Sequence, residues 1–398
     1  MFSSLNALAP DPILGLIALA NKDHNANKVD LGVGVYKNES GATPIMAAVK
    51  TAERNCAEKE LTKAYIGPAG PAEFNSGIRD LVFGAQHPAL QAERVRTVLT
   101  PGGCGALRVG AEFLKRCSEN ATVWVSDPTW ANHLPLLGNA GLKLAEYPYY
   151  EAGSAGIKFD EMMSALANVG RGDIVLLHGC CHNPCGADLN EEQWREMTAL
   201  AAKNGFLPFI DLAYQGFGRG LDEDAYGIRY MAEHLPELLV ASSCSKNFGL
   251  YRERVGSLSV LSDNSGQSDA ALTHVNNVVR GNYSMPPSHG GAIVGEILTD
   301  AALHQNWETE LAGMRNRINQ LRVLLVDKLS AQNVDRDFSF IAKQHGMFSF
   351  LGLSVAQVDQ LREQFSIYMV GSSRVNVAGI SQSNIDYLAQ SIAAVLTS

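Results

Sequence analysis

The sequence predicts an α/β protein with a mostly parallel, seven-stranded sheet in a large domain plus a smaller α+β domain. Three observations carry this. Seven short apolar runs, "RVRTVLT", "ATVWVSD", "LKLAEYPYY", "GDIVLLHG", "FLPFIDLAY", "ELLVASS" and "VGSLSVLS", recur between about residues 95 and 260. Segments such as "NEEQWREMTALAAKNG" lie between them, with helical spacing and a glycine stop. The runs are almost continuously apolar, which suits strands of a parallel sheet covered on both faces. In such sheets ligands bind beyond the carboxyl ends of the strands, and the polar clusters of this sequence fall there.

The remaining elements follow in order. Long helices are expected from about residue 288 to 332, over "GGAIVGEILTDAALHQNWETELAGMRNRINQLRVLLVDKL". After "FSFIAKQHGMFSFLGL" comes a helix from about Val355, then "IYMVGSSRVNVAG" and a last helix. The first forty or so residues are expected to pack with this C-terminal part. The large domain then spans residues 44–313, and residues 1–43 and 314–398 form a discontinuous small one. No internal repeat or low-complexity linker interrupts the chain.

Composition narrows the function. The 398 residues are 46% hydrophobic and 18% charged, as in globular proteins. A net charge of −9, from 32 basic and 41 acidic residues, argues against a nucleic-acid surface. An anionic ligand must therefore be caught by a few placed arginines. "MFSSLNALAPDPILGLIALANK" lacks a basic n-region and is broken by proline and aspartate, so it does not read as a signal peptide. No apolar run reaches the roughly 18 residues that a membrane span needs. Seven cysteines, an odd number with Cys180 and Cys181 adjacent, point to reduced thiols and a cytoplasmic protein.

Four polar stretches carry chemistry. "TPGGCGALRVG", residues 100–110, follows a strand and opens a helix, so free N–H groups and the helix dipole would face an anion there. It is not a dinucleotide fingerprint, because after Gly103 and Gly105 the next glycine is Gly110. A plain tight turn is the competing reading. "HGCCHNPCG", residues 178–186, invites a zinc reading, but its cysteines are adjacent or four apart and no second pair follows. A strand-end turn offering Asn183 as a donor fits better. "FIDLAYQGFGRG" ends a strand with Asp211 and then Tyr214; an aspartate there needs a cationic partner unless it caps a helix. "SSCSKNFGLYRERVG", residues 242–256, places Lys246 just after an apolar strand, where lost solvation lowers its pKa toward that of a usable nucleophile.

Ser243-x-x-Lys246 also matches the S-x-x-K of serine acyl-enzymes, and "SDN" occurs at 262–264. That reading lacks a K-T-G, and the repeated βα pattern is not that fold. A strand-end amine, an aspartate for a pyridinium nitrogen, a glycine-rich helix start and an arginine for phosphate are together the parts that pyridoxal 5'-phosphate requires.

These stretches resemble the class I, fold-type I aminotransferases that use pyridoxal phosphate, specifically the aspartate/aromatic amino acid transaminase subgroup. "LGVGVYKNESG", "YIGPAGPAEF", "GALR", "DPTWANH", "HGCCHNP", "DLAYQGF", "SKNFGLYRERVG", "RGNYSMPP", "DFSFIAKQHGMFSF" and "RVNVAG" occur in that family's order over nearly the whole chain. The resemblance implies that Lys246 binds the cofactor covalently and moves the substrate proton. Asp211 would pair with the pyridine nitrogen, oriented by His133, while Tyr214 and Asn183 would bond the phenolic oxygen. Trp130 would stack on one ring face and Ala213 press on the other. Gly103, Cys104, Ser243, Ser245 and Arg254 would gather the phosphate, helped by the partner subunit's Tyr65. Arg374 would take the substrate's α-carboxylate, near Gly34 and Phe348, and the partner subunit's Arg280 a distal carboxylate. The partners implied are amino acids, 2-oxo acids and a second copy of the chain; no metal, nucleic acid or membrane is implied.

The chain departs from the family's pattern at several positions. Cys104 replaces a common Thr, and Ala64 and Met285 replace Asn residues of the aspartate-specific branch. Cys244 and Cys185 replace the usual Tyr and Thr. The losses at 64 and 285 are expected to loosen the network that pins Arg280, letting it swing aside for an aromatic side chain. The expected function is thus a dual-specificity aromatic amino acid transaminase that takes Phe, Tyr, Trp, Asp and Glu, with 2-oxoglutarate as acceptor. A dedicated aspartate aminotransferase is the alternative. A family member that has lost catalysis would be expected to lack Lys246, Asp211 or an arginine, and all are present.

Overall fold

The computed structural model describes residues 2–8 and 12–397. They fall into two compact units, Pro44–Arg317 and Met1–Thr43 with Ile318–Ser398. The larger unit is built on one seven-stranded sheet. Its strands are β1 (Val95–Pro101), β2 (Thr122–Asp127), β3 (Lys143–Pro148), β4 (Ile174–His178), β5 (Leu207–Leu212), β6 (Leu238–Ser243) and β7 (Val255–Leu261). The spatial order is β1-β7-β6-β5-β4-β2-β3. Neighbours run parallel except β7, which is antiparallel to both β6 and β1. The carboxyl ends of β1, β2, β4, β5 and β6 therefore share one edge of the sheet, and β7 begins there.

Burial explains why the runs are apolar. Every residue of β6 and β7 is buried. The edge strand β3 is only partly covered, with Tyr147 its one buried residue, and tolerates Lys143 and Glu146. One face packs Val123, Leu176, Phe209, Leu239 and Leu258 against Ala106, Leu107, Val109 and Leu114 of the helix Gly102–Cys117. Each such leucine contributes about 1.5–3 kcal/mol by leaving water.

Two details differ from the sequence pattern. The run "LKLAEYPYY" leaves the sheet at Pro148. The Tyr149 N–H takes the carbonyl of Asp127, the last residue of β2, and Tyr150–Glu151 then pairs in a hairpin with Gly156–Ile157. The long helices expected over residues 288–332 are His289–Thr299 and Ala301–Ser330, and what the pattern does not give is the place where they part. Asp300 breaks them by turning extended (φ −95°, ψ 118°), and its Oδ1 accepts the Ala302 and Leu303 N–H groups at 2.9 Å, starting the second helix.

In the smaller unit Val29–Asp30 pairs in parallel with Ile367–Tyr368, and Phe348–Phe350 pairs antiparallel with Arg374–Asn376. A capping box of Ser354 and Gln357 starts the helix Val355–Phe365. Arg322, 1% exposed, donates to the carbonyls of Ile341, His345, Gly346 and Phe348, and so fixes the chain that enters the strand of Phe348. Among the described residues no helix is long and apolar enough to cross a membrane.

Candidate active site

The polar residues of the larger unit gather at the edge where the strands end. β1 delivers the chain into the helix Gly102–Cys117, whose start no side chain caps among the described residues. Its first N–H groups are thus left for an outside acceptor. Gly102 has φ +71°, and a Cβ there would stand 2.4 Å from Arg254 Nη2. A Cβ on Gly103 would stand 3.1 Å from the Cβ of Ser243. This helix start, the end of β6 and the residue before β7 are therefore neighbours. Ser243 Oγ donates to Ser245 Oγ at 3.0 Å and accepts the Ser245 N–H at 3.2 Å, so both hydroxyls are ordered beside it.

Lys246 lies in the turn after β6. Its Nζ sits 4.5 Å from the centre of the Tyr214 ring. Lost hydration pushes the amine below the ordinary lysine value; Arg254 adds to this, and the charges of Asp211 and Cys104 oppose it. Asp211, at the end of β5, is 7% exposed. Burial pushes its carboxyl up, but the His133 hydrogen bond, reinforced by the positive charge of Lys246, outweighs that and holds it below the usual range.

A chain of hydrogen bonds backs this carboxylate. A carboxylate only accepts, so His133 Nε2 donates to Asp211 Oδ2 at 3.0 Å. His133 Nδ1 meets Thr129 Oγ1 at 2.8 Å, and Thr129 Oγ1 meets His178 Nε2 at 3.2 Å. Burial and the neighbouring His133 push His178 down to about 3, which keeps it neutral. Thr129 and His178 are not legible in the sequence in this role. Their signal was the sheet order, which sets His178 directly beside Asp211.

Trp130 packs edge-on against His133 with ring centres 5.3 Å apart. Asn183 is buried in the turn after β4, and Ala213 follows Asp211 on β5's exit. Cys104 Sγ accepts from Asn132 Nδ2 at 3.7 Å. Tyr65 is 93% exposed, and Arg280 is exposed with its guanidinium on Ser284 Oγ. Neither is drawn into the cluster around Lys246. Gly34, Phe348 and Arg374 group in the smaller unit. Arg374 lies 4.5 Å from the Phe348 ring centre, and a Cβ on Gly34 would stand 2.9 Å from that ring. Arg374 Nη2 also donates to Gly32 O at 2.9 Å.

The cluster couples a lysine amine of lowered pKa to a buried carboxylate held ionised, next to an anion-ready helix start. The family model for class I and II aminotransferases matches residues 26–392. The chain belongs to this family. The aspartate aminotransferase of Haemophilus influenzae is 49% identical over 396 residues, the full length of both chains. The aromatic-amino-acid aminotransferase of Pseudomonas aeruginosa is 44% identical, over 99% of this chain and 98% of that one. The crystal structure of an aromatic-amino-acid aminotransferase from Burkholderia pseudomallei, covalently bound to pyridoxal phosphate, aligns with a TM-score of 0.98 at 44% identity, over 100% of this chain and 99% of that chain. The aminotransferase is a pyridoxal phosphate-dependent transaminase with the family's α/β fold.

Its residues fit that cofactor. There is an amine to bond it, a carboxylate for a protonated pyridine nitrogen, and for the phosphate two hydroxyls, a guanidinium and uncapped N–H groups. Other readings fit less well. Ser243 Oγ is engaged with Ser245, not poised as an acyl nucleophile. Ligand atoms of Cys180, Cys181 and Asp224 do lie within 4.8 Å of one another. Asp224, however, already accepts the N–H groups of Gly216, Gly218 and Arg219, and the Cys180 thiol is pushed well above its usual value. Met285, expected to loosen its surroundings, makes a contact of its own. Its Sδ accepts the Ile66 N–H at 3.3 Å, tying the segment of Tyr65 to the turn after Arg280.

Proposed function

We propose that this aminotransferase moves the amino group of Phe, Tyr and Trp, and of Asp and Glu, to 2-oxoglutarate, as a cytoplasmic homodimer with shared active sites. The observation that carries the chemistry is the Lys246 amine, depressed in pKa and 4.5 Å from the Tyr214 ring, with ionised Asp211 behind it. When bound, pyridoxal phosphate supplies an electron sink for charge developing at the substrate's α-carbon and holds the amino group between the two half-reactions.

The chain's residues do the rest. Lys246, unprotonated over more of the pH range than an ordinary lysine, is the base that would take the proton from the substrate's α-carbon and hold it for return to the bound group. Asp211 keeps the pyridine nitrogen protonated, and the histidines behind it keep Asp211 ionised. Tyr214 and Asn183 hold the phenolic oxygen, while Trp130 and Ala213 fix the ring plane. Gly103, Cys104, Ser243, Ser245, Arg254 and the partner subunit's Tyr65 hold the phosphate. Arg374 grips the α-carboxylate in a bidentate fork, with Phe348 and Gly34 shaping its surroundings. The partner subunit's Arg280 receives a distal carboxylate. The order is ping-pong: the oxo acid from the first substrate leaves before 2-oxoglutarate binds.

Support for breadth comes from Ala64 and Met285, which present apolar or soft groups, and from relatives of both names at 42–49% identity. The 49% identity to an aspartate aminotransferase favours the narrower alternative, Asp with 2-oxoglutarate. Seven free cysteines suit a reducing cytoplasm. Single-turnover stopped flow separates the two substrate readings, by following the cofactor absorbance after mixing with phenylalanine or aspartate. Comparable rate constants per molar substrate are expected. A phenylalanine value about a thousandfold lower, about 4 kcal/mol, would sink the dual specificity in favour of the aspartate enzyme.

A further inference from the structure

We propose that Trp307 is a positioning residue for Lys246, acting through the two residues that follow the lysine. Lys246 stands on neither a helix nor a strand but in the turn between β6 and β7. Within that turn its carbonyl accepts the Gly249 N–H at 3.0 Å. The next peptide is held from outside. Trp307 Nε1 donates to the carbonyl of Asn247 at 2.7 Å, in a buried setting. The following residue, Phe248, lies flat on the Trp307 ring, with centres 4.5 Å apart and planes 6° apart. Both rings are 0% exposed.

One indole thus grips consecutive residues in two different ways. The hydrogen bond fixes the rotation of the peptide after Asn247, and the stack fixes where Phe248 goes. The backbone leaving Lys246 then has little freedom, and the side chain starts from a defined point toward Tyr214. A buried carbonyl without its donor would turn to find another, carrying the lysine's backbone with it. Proton transfer at the α-carbon is sensitive to sub-ångström placement of the amine, so this second layer of support acts on rate. Trp307 is borne on the 30-residue helix Ala301–Ser330, a stiff mount.

The inference rests on the reading of Lys246 as the cofactor-bearing amine. The test is Trp307→Phe in the pyridoxal phosphate-loaded enzyme, which keeps an aromatic face and removes the N–H. The expected result is a fall in kcat of about tenfold with the amino acid KM within about twofold. The pH midpoint of the bound cofactor's visible absorbance change should also move measurably, because it reports the environment of the lysine nitrogen. A lower melting temperature with unchanged kcat and midpoint would mean a purely structural role and overturn the proposal. If Trp307→Phe does not fold, Phe248→Leu, which removes the stack and leaves the N–H, must show the same two changes, and unaltered values overturn it equally. Lys246→Ala, reduced with borohydride and weighed intact, tests the foundation. Cofactor still attached in that variant would overturn the assignment of Lys246 and this inference with it. Its loss there beside an unaltered Trp307→Phe overturns the role of Trp307 alone.

Discussion

Lys246 is more useful to catalysis than to stability. Its folded pKa is depressed, first by lost hydration, below the ordinary value of 10.5. Below 10.5 the unfolded chain binds the proton more tightly than the folded one. Stability of the cofactor-free protein therefore rises with pH through the window between the folded and unfolded values. Each unit of depression is worth about 1.4 kcal/mol. Lys246→Met in the cofactor-free protein should accordingly melt higher than the parent at pH 7, with the gap closing toward pH 10.5; a lower melting point at pH 7 would contradict this. Asp211 behaves oppositely. Its pKa is held below 3.8, so it stabilises the fold above that value, and the contribution is lost as pH falls through the folded value. His133→Phe removes the lowering bond and leaves burial, which pushes the carboxyl up. The variant should lose about 1–3 kcal/mol near neutrality, and the deficit should shrink toward pH 3. Urea unfolding of the cofactor-free protein from pH 3 to 7 reads it, and a deficit constant with pH would remove Asp211 from the account. Among single residues, Lys246 and Asp211 were legible in the sequence as polar groups just past apolar runs. The Thr129–His178 extension was not, because it exists only once β4 lies beside β5. Trp307 was equally invisible, since an aromatic inside a helical pattern reads as core.

At the next scale, β7 meets the start of the helix Gly102–Cys117 backbone against backbone. A Cβ on Gly256 would stand 2.4 Å from the carbonyl carbon of Gly102 and 2.7 Å from the Gly103 nitrogen, both backbone atoms that cannot step aside. Gly256→Ala should therefore push the helix start from the strand, costing about 1–3 kcal/mol. It should also weaken pyridoxal phosphate binding about tenfold or more, since the N–H groups of that turn move with it. Titration of the cofactor-free variant reads the second effect, and an unchanged affinity would show that this turn does not hold the phosphate. The strands and the strand-to-helix turn at Gly102 were readable because continuous apolar runs ending in glycine have few other uses in a buried sheet. Boundaries were less so. Nothing in the composition of "YPYY" says that β2 has run out of residues to pair with, yet that is what ends β3. The place where the long helices part, at Asp300, was hidden for a similar reason: an aspartate inside a helical pattern becomes a cap only when its own backbone turns extended.

The whole molecule presents surface that a lone chain has little reason to keep. The irregular stretch 60–66 exposes Leu61 at 96% and Tyr65 at 93%, and in the smaller unit Phe2 and Leu8 are 82% and 92% exposed. Single exposed apolar residues are ordinary, but nearly naked leucine, phenylalanine and tyrosine are costly to leave in water. Their exposure fits the proposed homodimer, in which Tyr65 and Arg280 serve the neighbour's site. A shared site has a consequence that a self-contained one lacks. Lys246→Ala and Arg280→Ala should each be nearly inactive toward aspartate. Mixed, unfolded and refolded together, they should form hybrid dimers in which one site carries both defects and the other carries neither. With random pairing, half the dimers are hybrids with one intact site each, so about a quarter of the parent's aspartate activity should return. Sedimentation of the mixture confirms that dimers have formed. If they have and no activity returns, Arg280 acts within its own chain, and the exposed side chains need another explanation.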